Sequence, residues 1–161
     1  MSVNKYLPHV FVLPEDDANR QLANGFYDDP LIATRRVQIL PEAGGWQEVL
    51  NRFKVEHITD MDRYSTRFMV LLLDFDARDD RLKTAKAAIP SRLQDRVFIL
   101  GVWTQPEELR VSLGSYETIG SAMARDCREN TDGTWTHPLL GHNAGELDRL
   151  RRHVRPILFE A

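Results

Sequence analysis

The strongest constraint on the fold is a run of aliphatic side chains that ends in two carboxylates. Residues 69–73 read Met-Val-Leu-Leu-Leu, and Asp74-Phe75-Asp76 follows them directly. The run is too short for a typical helix and too continuously apolar for a strand with one solvated face, so it predicts a central strand that is covered on both faces. Asp74 and Asp76 then lie at the carboxyl end of that strand, which is the edge at which open α/β sheets bind ligands.

Three other apolar runs alternate with segments of helical periodicity. They are residues 9–13, 35–40 and 97–102. Apolar strands that alternate with helices predict an α/β fold with a parallel, Rossmann-like sheet of about four strands flanked by helices. Because crossovers between parallel strands are right-handed, the carboxyl ends of all four strands share one edge of the sheet. Side chains that follow different strands can therefore converge at that edge.

Local signals predict where the first helices begin and end. Asp16 or Asp17 can cap the first helix, and Asn24-Gly25 and then Asp28-Asp29-Pro30 mark its end. A second amphipathic helix begins at Trp46. The polar residues 59–66 predict an irregular connection from that helix to the central strand.

The last third of the chain has the signals of several more helices. Pro106 is typical of a first helical turn, Ser115 is typical of a cap, and Asn143 with Glu146 has the spacing of a capping box for the last helix. The arginines of that helix are expected near a helix C-terminus, and a phosphate-binding helix is the alternative. They are Arg149, Arg151, Arg152 and Arg155.

The composition predicts one ordinary globular domain that spans residues 1–161. The formal net charge of −3 argues against attraction of nucleic acid or anionic lipid to the whole surface, so such binding would need a local basic patch. Cys127 is the only cysteine, which excludes an internal disulfide and a cysteine-built zinc site and favours a reducing compartment. Residues 1–8 lack the apolar core of a signal peptide, and we expect a cytoplasmic protein with no membrane partner.

Carboxylates that follow two of the strands predict a metal site. Glu15 follows the first strand, and Asp74 and Asp76 follow the third. Neighbouring strands lie about 4.8 Å apart, so these carboxylates can reach one hard cation. A small, open set of oxygen ligands suits Mg²⁺, with Mn²⁺ as its substitute. Additional acids lie nearby in the sequence, with helix capping or dipole stabilisation as their alternative roles; these are Asp16, Asp17 and Glu108.

Glu15 and the Asp74-Phe75-Asp76 motif also carry a family resemblance. A hydrophobic strand that ends in Glu, a helix after it, and a later strand that ends in Asp-x-Asp resemble the toprim domain of topoisomerases, bacterial primases and OLD-type nucleases. The resemblance implies a toprim-like core over residues 8–105, with residues 106–161 as a mainly helical C-terminal elaboration. It also implies that Glu15 acts as a general acid or base or takes part in metal binding, and that Asp74 and Asp76 bind magnesium.

The resemblance extends to two basic residues and to a function. Arg78 and Arg81 match the place where related sequences carry basic residues near the phosphate. The implied function is Mg²⁺-dependent phosphoryl transfer by a nuclease or nucleic-acid-processing component, in which Glu15, Arg78 and Arg81 form the catalytic set. We therefore expect nucleic acid as the partner. The sequence does not determine the oligomeric state, and membership of a larger complex is one of the open alternatives.

Two other functions remain open at this stage. Asp16 and Asp17 add negative charge where the toprim family usually has glycine, which favours a non-catalytic, toprim-like binding or scaffold protein. A receiver-like phosphoacceptor domain, with Asp74 as the acceptor, is the other alternative. It is disfavoured because no lysine follows Lys86 to contact a phosphoryl group.

Overall fold

The computed structural model describes residues 3–160 and contains one sheet of four parallel strands. The strands are β1 (His9–Pro14), β2 (Val37–Ile39), β3 (Arg67–Leu72) and β4 (Val97–Leu100). Their order in the sheet is β2-β1-β3-β4, and every neighbouring pair is parallel. The prediction of a parallel α/β sheet of about four strands is therefore confirmed, and the order of the strands reverses between β1 and β3.

Eight α-helices accompany the sheet within the described residues 3–160. They are α1 (Asp17–Tyr27), α2 (Trp46–Arg52), α3 (Ile58–Arg63), α4 (Asp79–Ala87), α5 (Pro106–Leu113), α6 (Tyr116–Glu129), α7 (Ala144–His153) and α8 (Arg155–Phe159). The side chain of Ser115 accepts the Thr118 N–H and caps α6, as the sequence predicts. Of the helices in the described part of the chain, none has the length and apolar character needed to cross a bilayer.

Each face of the sheet is covered by its own hydrophobic core. Side chains that alternate along β3 point to opposite faces, so Val70 joins one core while Met69 and Leu71 join the other. Helices α1 and α5 to α8 bury their apolar residues with Val70, whereas α2, α3 and α4 bury theirs with Met69 and Leu71. This double coverage explains why the central strand is continuously apolar.

Helices α1 and α6 cross so closely that two glycines are required at the crossing. A Cβ atom on Gly25 would lie 2.2 Å from the carbonyl oxygen of Glu117, and a Cβ atom on Gly120 would lie 2.0 Å from that of Leu22. The expectation that Asn24-Gly25 marks the end of the first helix is therefore wrong, whereas the end signal at Asp28-Asp29-Pro30 is confirmed. The helix continues to Tyr27, and Gly25 lets two backbones approach each other.

The prediction of an irregular connection over residues 59–66 is wrong for residues 59–63 and holds for residues 64–66. The chain stays helical from Trp46 through a π-helical turn at Phe53–His57 and into α3, which ends at Arg63. Met61 is the buried residue of α3, so this helix shows no repeating apolar pattern in the sequence. Its helical state depends on packing rather than on local periodicity.

Side chains from the start of α7 occupy the free edge of β4. The Ile99 N–H donates to Glu146 Oε2 (2.8 Å), the Gly101 N–H donates to Asn143 Oδ1 (3.2 Å), and Asn143 Nδ2 donates to the Gly101 carbonyl (2.9 Å). Asn143 and Glu146 therefore do not form the predicted capping box, because they bond to the backbone of another element. Their spacing places both side chains toward the sheet.

The glycine crossing can be tested by adding single methyl groups. We expect Gly120→Ala to lower the free energy of unfolding by about 2–4 kcal/mol, because the two helices must separate to admit the Cβ atom. Gly145→Ala is the matched control in α7, where the new Cβ meets no atom within 4 Å. It should raise stability by up to about 1 kcal/mol. Urea unfolding of both variants checks this, and wild-type stability for Gly120→Ala would contradict the close crossing.

The contact between Asn143 and β4 makes a second stability prediction. Asn143→Leu leaves the N–H and carbonyl of Gly101 without their partner in a buried place, so unfolding should require about 2–4 kcal/mol less free energy. Asp148→Leu, at an exposed position of the same helix, should change stability by less than about 0.5 kcal/mol. Equal effects of the two substitutions in urea titrations would argue against this role for Asn143.

Candidate functional site

Three carboxylates converge at the carboxyl edge of the sheet, between β1 and β3. One ligand oxygen from each of Glu15, Asp16 and Asp74 lies within 4.8 Å of the other two. Glu15 and Asp16 follow β1 and Asp74 follows β3, so the group sits where the strand order reverses. That is the position at which open α/β sheets form a ligand crevice. We call these three residues the acidic group.

Backbone hydrogen bonds fix Glu15 and Asp74 against each other. The Glu15 N–H donates to the Leu72 carbonyl (2.8 Å), which prolongs the pairing of β1 with β3 beyond its last strand residues. The Asp74 N–H then donates to Glu15 Oε2 (2.6 Å). The two residues are 59 positions apart in the sequence, and the parallel register alone brings them together.

Asn19 completes the acidic group and was missed by the sequence analysis. Asp16 caps α1 by accepting the Asn19 N–H (3.0 Å), and Asn19 Nδ2 donates to both Asp16 Oδ1 and Asp74 Oδ1 (2.9 Å each). Asparagine is a poor residue inside a helix, so an Asn three positions after the cap is a signal that sequence reasoning could have used. The amide holds two carboxylates that would otherwise repel each other.

The amide oxygen of Asn19 is the unusual atom of this arrangement. Asn19 is fully buried, and its Oδ1 has no hydrogen-bond partner within the described residues. The assignment of amide oxygen and nitrogen follows the hydrogen-bond network, and a half-turn of the amide exchanges the two atoms. The half-turn would direct the oxygen toward Asp16 and Asp74, where a cation or a protonated carboxyl would have to separate the oxygens. In that orientation Asn19 would offer a fourth oxygen ligand to a cation.

Burial and mutual repulsion perturb the acidic group. Asp74 is 8% exposed and Glu15 is 9% exposed. Loss of hydration raises the pKa of Asp74 to about 7, opposed by the Asn19 hydrogen bond and assisted by the charges of Glu15 and Asp16. Burial likewise raises the pKa of Glu15, although the N–H of Asp74 lowers it in part. A cation bound among these carboxyl groups would stabilise their ionised forms, which burial and mutual repulsion otherwise disfavour.

Asp76 lies outside the acidic group. It has φ 52° and Ala77 has φ 54°, so the chain makes a left-handed turn directly after Phe75. The N–H groups of these two residues donate to the carbonyls of Thr104 and Trp103, which holds the turn in place. The Asp76 side chain consequently points to solvent and is 53% exposed. The structure places Asp16, instead of Asp76, beside Glu15 and Asp74.

The two arginines of the expected catalytic set have different surroundings. Arg81 Nη1 donates to the Asp74 carbonyl (2.8 Å), its guanidinium lies 4.8 Å from the centre of the Trp46 ring, and its Nη2 is 4.0 Å from Asp76 Oδ2. Arg81 is therefore a half-buried cation at the rim of the acidic group. Arg78 is exposed and forms two hydrogen bonds with Asp80 (3.1 and 2.8 Å). The structure brings Arg81 to the site and leaves Arg78 paired on the surface.

The remaining acids named from the sequence form local contacts. Asp17 accepts a hydrogen bond from Gln21 Nε2 (2.6 Å) in the first turns of α1, and Glu108 accepts one from the Thr104 hydroxyl (3.0 Å) in the first turn of α5. Both are exposed and outside the acidic group. The negative charge of Glu107, which precedes Glu108, still contributes to the raised pKa of Asp74.

Aromatic side chains pack behind the turn that follows Asp74. The ring of His142 meets Phe75 edge-on at 5.1 Å between centroids and lies 5.2 Å from the ring of Trp103. Burial lowers the pKa of His142, so the imidazole is neutral in this apolar place. These rings support the backbone on which Asp74 is presented.

Comparison with known proteins identifies no relative of this chain. No family model, curated protein or solved structure matches the chain. The function is therefore inferred from the residues of the site itself.

The raised pKa of Asp74 predicts a distinct pH dependence. The pKa of this carboxyl is higher in the folded state than in the unfolded state. The fold therefore loses stability as the pH rises from the pKa of the unfolded state toward 7, because the folded protein must release the proton at a cost. Asp74→Asn removes that cost and keeps an oxygen that can accept from Asn19. We expect the variant to be more stable than the wild type by about 1–3 kcal/mol at pH 8, with little difference near pH 4.

Thermal melts between pH 4 and pH 8 measure this difference. Asp76→Asn is the control, because the exposed Asp76 lies outside the acidic group and its substitution should give no gain that grows with pH. Titration of the buried histidines affects all three proteins alike and cancels in the comparison. A stability difference that does not depend on pH would show that Asp74 is ionised without cost.

Proposed function

We propose that this protein binds Mg²⁺ at the acidic group and acts in phosphoryl transfer, as a nuclease or nucleic-acid-processing component of toprim type. The observation that carries the proposal is the convergence of Glu15, Asp16 and Asp74 at the strand-order reversal. The resemblance to the toprim family, drawn from Glu15 and Asp74-Phe75-Asp76, supports it. The proposed ligand set differs from the one expected from the sequence, since Asp16 takes the place of Asp76.

The donor atoms suit a hard divalent cation. Glu15, Asp16, Asp74 and the amide of Asn19 offer oxygen ligands only, and no cysteine or histidine belongs to the acidic group. A set of few carboxylates matches the habit of Mg²⁺, which retains waters and substrate oxygens in its remaining positions. When bound, the ion would polarise a phosphate oxygen or lower the pKa of a water.

The chain's own residues supply the other parts of such a site. Glu15 has a raised pKa and is held by the Asp74 N–H, which are properties of a general acid or base. Arg81 is a cation within reach of the same crevice, and its stacking on Trp46 and its bond to the Asp74 carbonyl limit its motion. A guanidinium held in this way can stabilise a phosphate oxygen at low entropic cost.

A non-catalytic binding or scaffold protein is the second candidate. Arg78 is paired with Asp80 on the surface, so Arg81 is the one arginine of the expected catalytic set that lies near the acidic group. A site with one of its two expected arginines favours binding without catalysis. Asp17, Asp76 and Glu107 add negative charge around the crevice and would repel a phosphodiester. In this candidate the metal site stays intact and turnover is absent.

Substitutions that preserve hydrogen bonding can test the metal site. Asp16→Asn keeps a good helix cap, and Asp74→Asn and Glu15→Gln keep their acceptor oxygens, so all three should fold. We expect each to weaken Mn²⁺ binding by at least about tenfold and to reduce Mg²⁺-dependent cleavage of single- or double-stranded nucleic acid by about a hundredfold. Calorimetric titration with Mn²⁺ and cleavage of labelled oligonucleotides provide the two measurements.

The controls separate the candidates. Asp76→Asn should retain Mn²⁺ affinity within about threefold, because Asp76 lies outside the acidic group. Binding of Mn²⁺ that is lost in the three variants, without cleavage of any nucleic acid, would support the non-catalytic candidate. Absence of Mn²⁺ binding to the wild type would reject both.

A further inference from the structure

Cationic side chains gather at the amino edge of the sheet, opposite the acidic group. The ring of Tyr64, just after α3, is approached by Lys5 Nζ at 5.2 Å, by the Arg63 guanidinium at 5.6 Å and by the Arg67 guanidinium at 5.1 Å from its centroid. Three like charges around one ring repel each other. Lys5 comes from the N-terminal segment and the two arginines come from residues 63–67, so the fold brings the cations together although the net charge of the chain is −3.

Few carboxylates compensate these charges. Arg67 has Asp60 at 3.7 Å, whereas Lys5 and Arg63 take part in no ion pair within residues 3–160. Arg96 adds a further cation beneath the surface and donates only to backbone carbonyls, those of Met61, Tyr64 and Arg67. Asp62 is already paired with Arg92, while Glu56 lies 3.9 Å from His57, whose pKa is lowered by burial, and stays an exposed acid of this region.

An exposed aromatic ring lies within this cationic surface. Tyr6 is 78% exposed and meets Tyr64 edge-on, with 6.1 Å between ring centroids. Its backbone N–H is bonded to the side chain of Asn4, which shapes the turn that presents the ring. An exposed ring flanked by unpaired cations is the combination that binds single-stranded nucleic acid, through base stacking and phosphate contacts.

We propose that the surface formed by Lys5, Tyr6, Arg63 and Tyr64 binds single-stranded nucleic acid, with the cations on phosphates and Tyr6 stacked on a base. We call it the amino-edge surface. It lies about 20 Å from the acidic group, the length of the six-residue β1 between them. It is therefore a second site, separate from the proposed metal centre, and it supplies the local basic patch that an acidic protein needs to hold a polyanion.

Fluorescence anisotropy with a labelled oligothymidylate of about 15 nucleotides tests the proposal. The titration is done with the full chain in EDTA at low salt, so that the result is independent of the metal centre. We expect Lys5→Glu/Arg63→Glu to weaken binding by at least about tenfold. Arg125→Glu/Arg152→Glu makes the same change in net charge at exposed positions of α6 and α7 and should weaken binding by less than about threefold.

Aromatic variants test the stacking contact separately. Tyr6→Ala should weaken binding by about fivefold or more, and Tyr6→Phe should restore it, because stacking requires the ring and not the hydroxyl. Binding that persists in EDTA, with no divalent ion available to the acidic group, distinguishes this proposal from the metal centre. No binding by the wild type, or equal losses in the two charge-reversal variants, would overturn it. Self-association at low salt that Lys5→Glu/Arg63→Glu abolishes, without oligonucleotide binding, would assign the surface to a second copy of the chain and also overturn it.

Discussion

The pairing of β1 with β3 is the interaction on which the rest of the structure depends. Six residue pairs in parallel register join two strands that are far apart in the sequence. At one end this register places Glu15 against the N–H of Asp74, and at the other it places His9 against Arg67, whose Nε donates to His9 Nε2 (2.9 Å). One strand pair thus builds both ends of the sheet. A slip of one residue would turn every side chain to the wrong face and separate both contacts.

The two ends of this strand pair have opposite charge. The ionisable groups at the carboxyl edge are mainly acids, and burial and mutual repulsion make their ionised forms unfavourable. The ionisable groups at the amino edge are mainly cations. Neutral His9 fits this picture, because burial and the neighbouring Arg67 lower its pKa while Nδ1 donates to the Leu7 carbonyl (2.7 Å). Each cluster brings like charges close together, and a bound ion of opposite charge would relieve that repulsion.

Sequence reasoning succeeded where a local pattern determines the outcome and failed where a distant contact does. The parallel sheet and the crevice position of Glu15 and Asp74 follow from apolar runs and crossover handedness. Gly25 was misread because the helix that approaches it is almost a hundred residues away in the chain, at Gly120. Asp76 was grouped with Asp74 because the left-handed turn that separates them is held by backbone bonds to Trp103 and Thr104. Side-chain spacing alone carries no information about such a turn.

The hydrogen bonds from Asn143 and Glu146 to β4 have a consequence for the behaviour of the protein in a crowded solution. The border of a sheet exposes backbone groups that can template the addition of a foreign strand, and this is a common route to aggregation. Here the polar groups of Ile99 and Gly101 are occupied by side chains of a helix. The opposite border is β2, which has only three residues and offers little length for pairing. Within residues 3–160, both borders of the four-stranded sheet therefore offer few free backbone groups to a foreign strand, which disfavours growth of the sheet by strand addition.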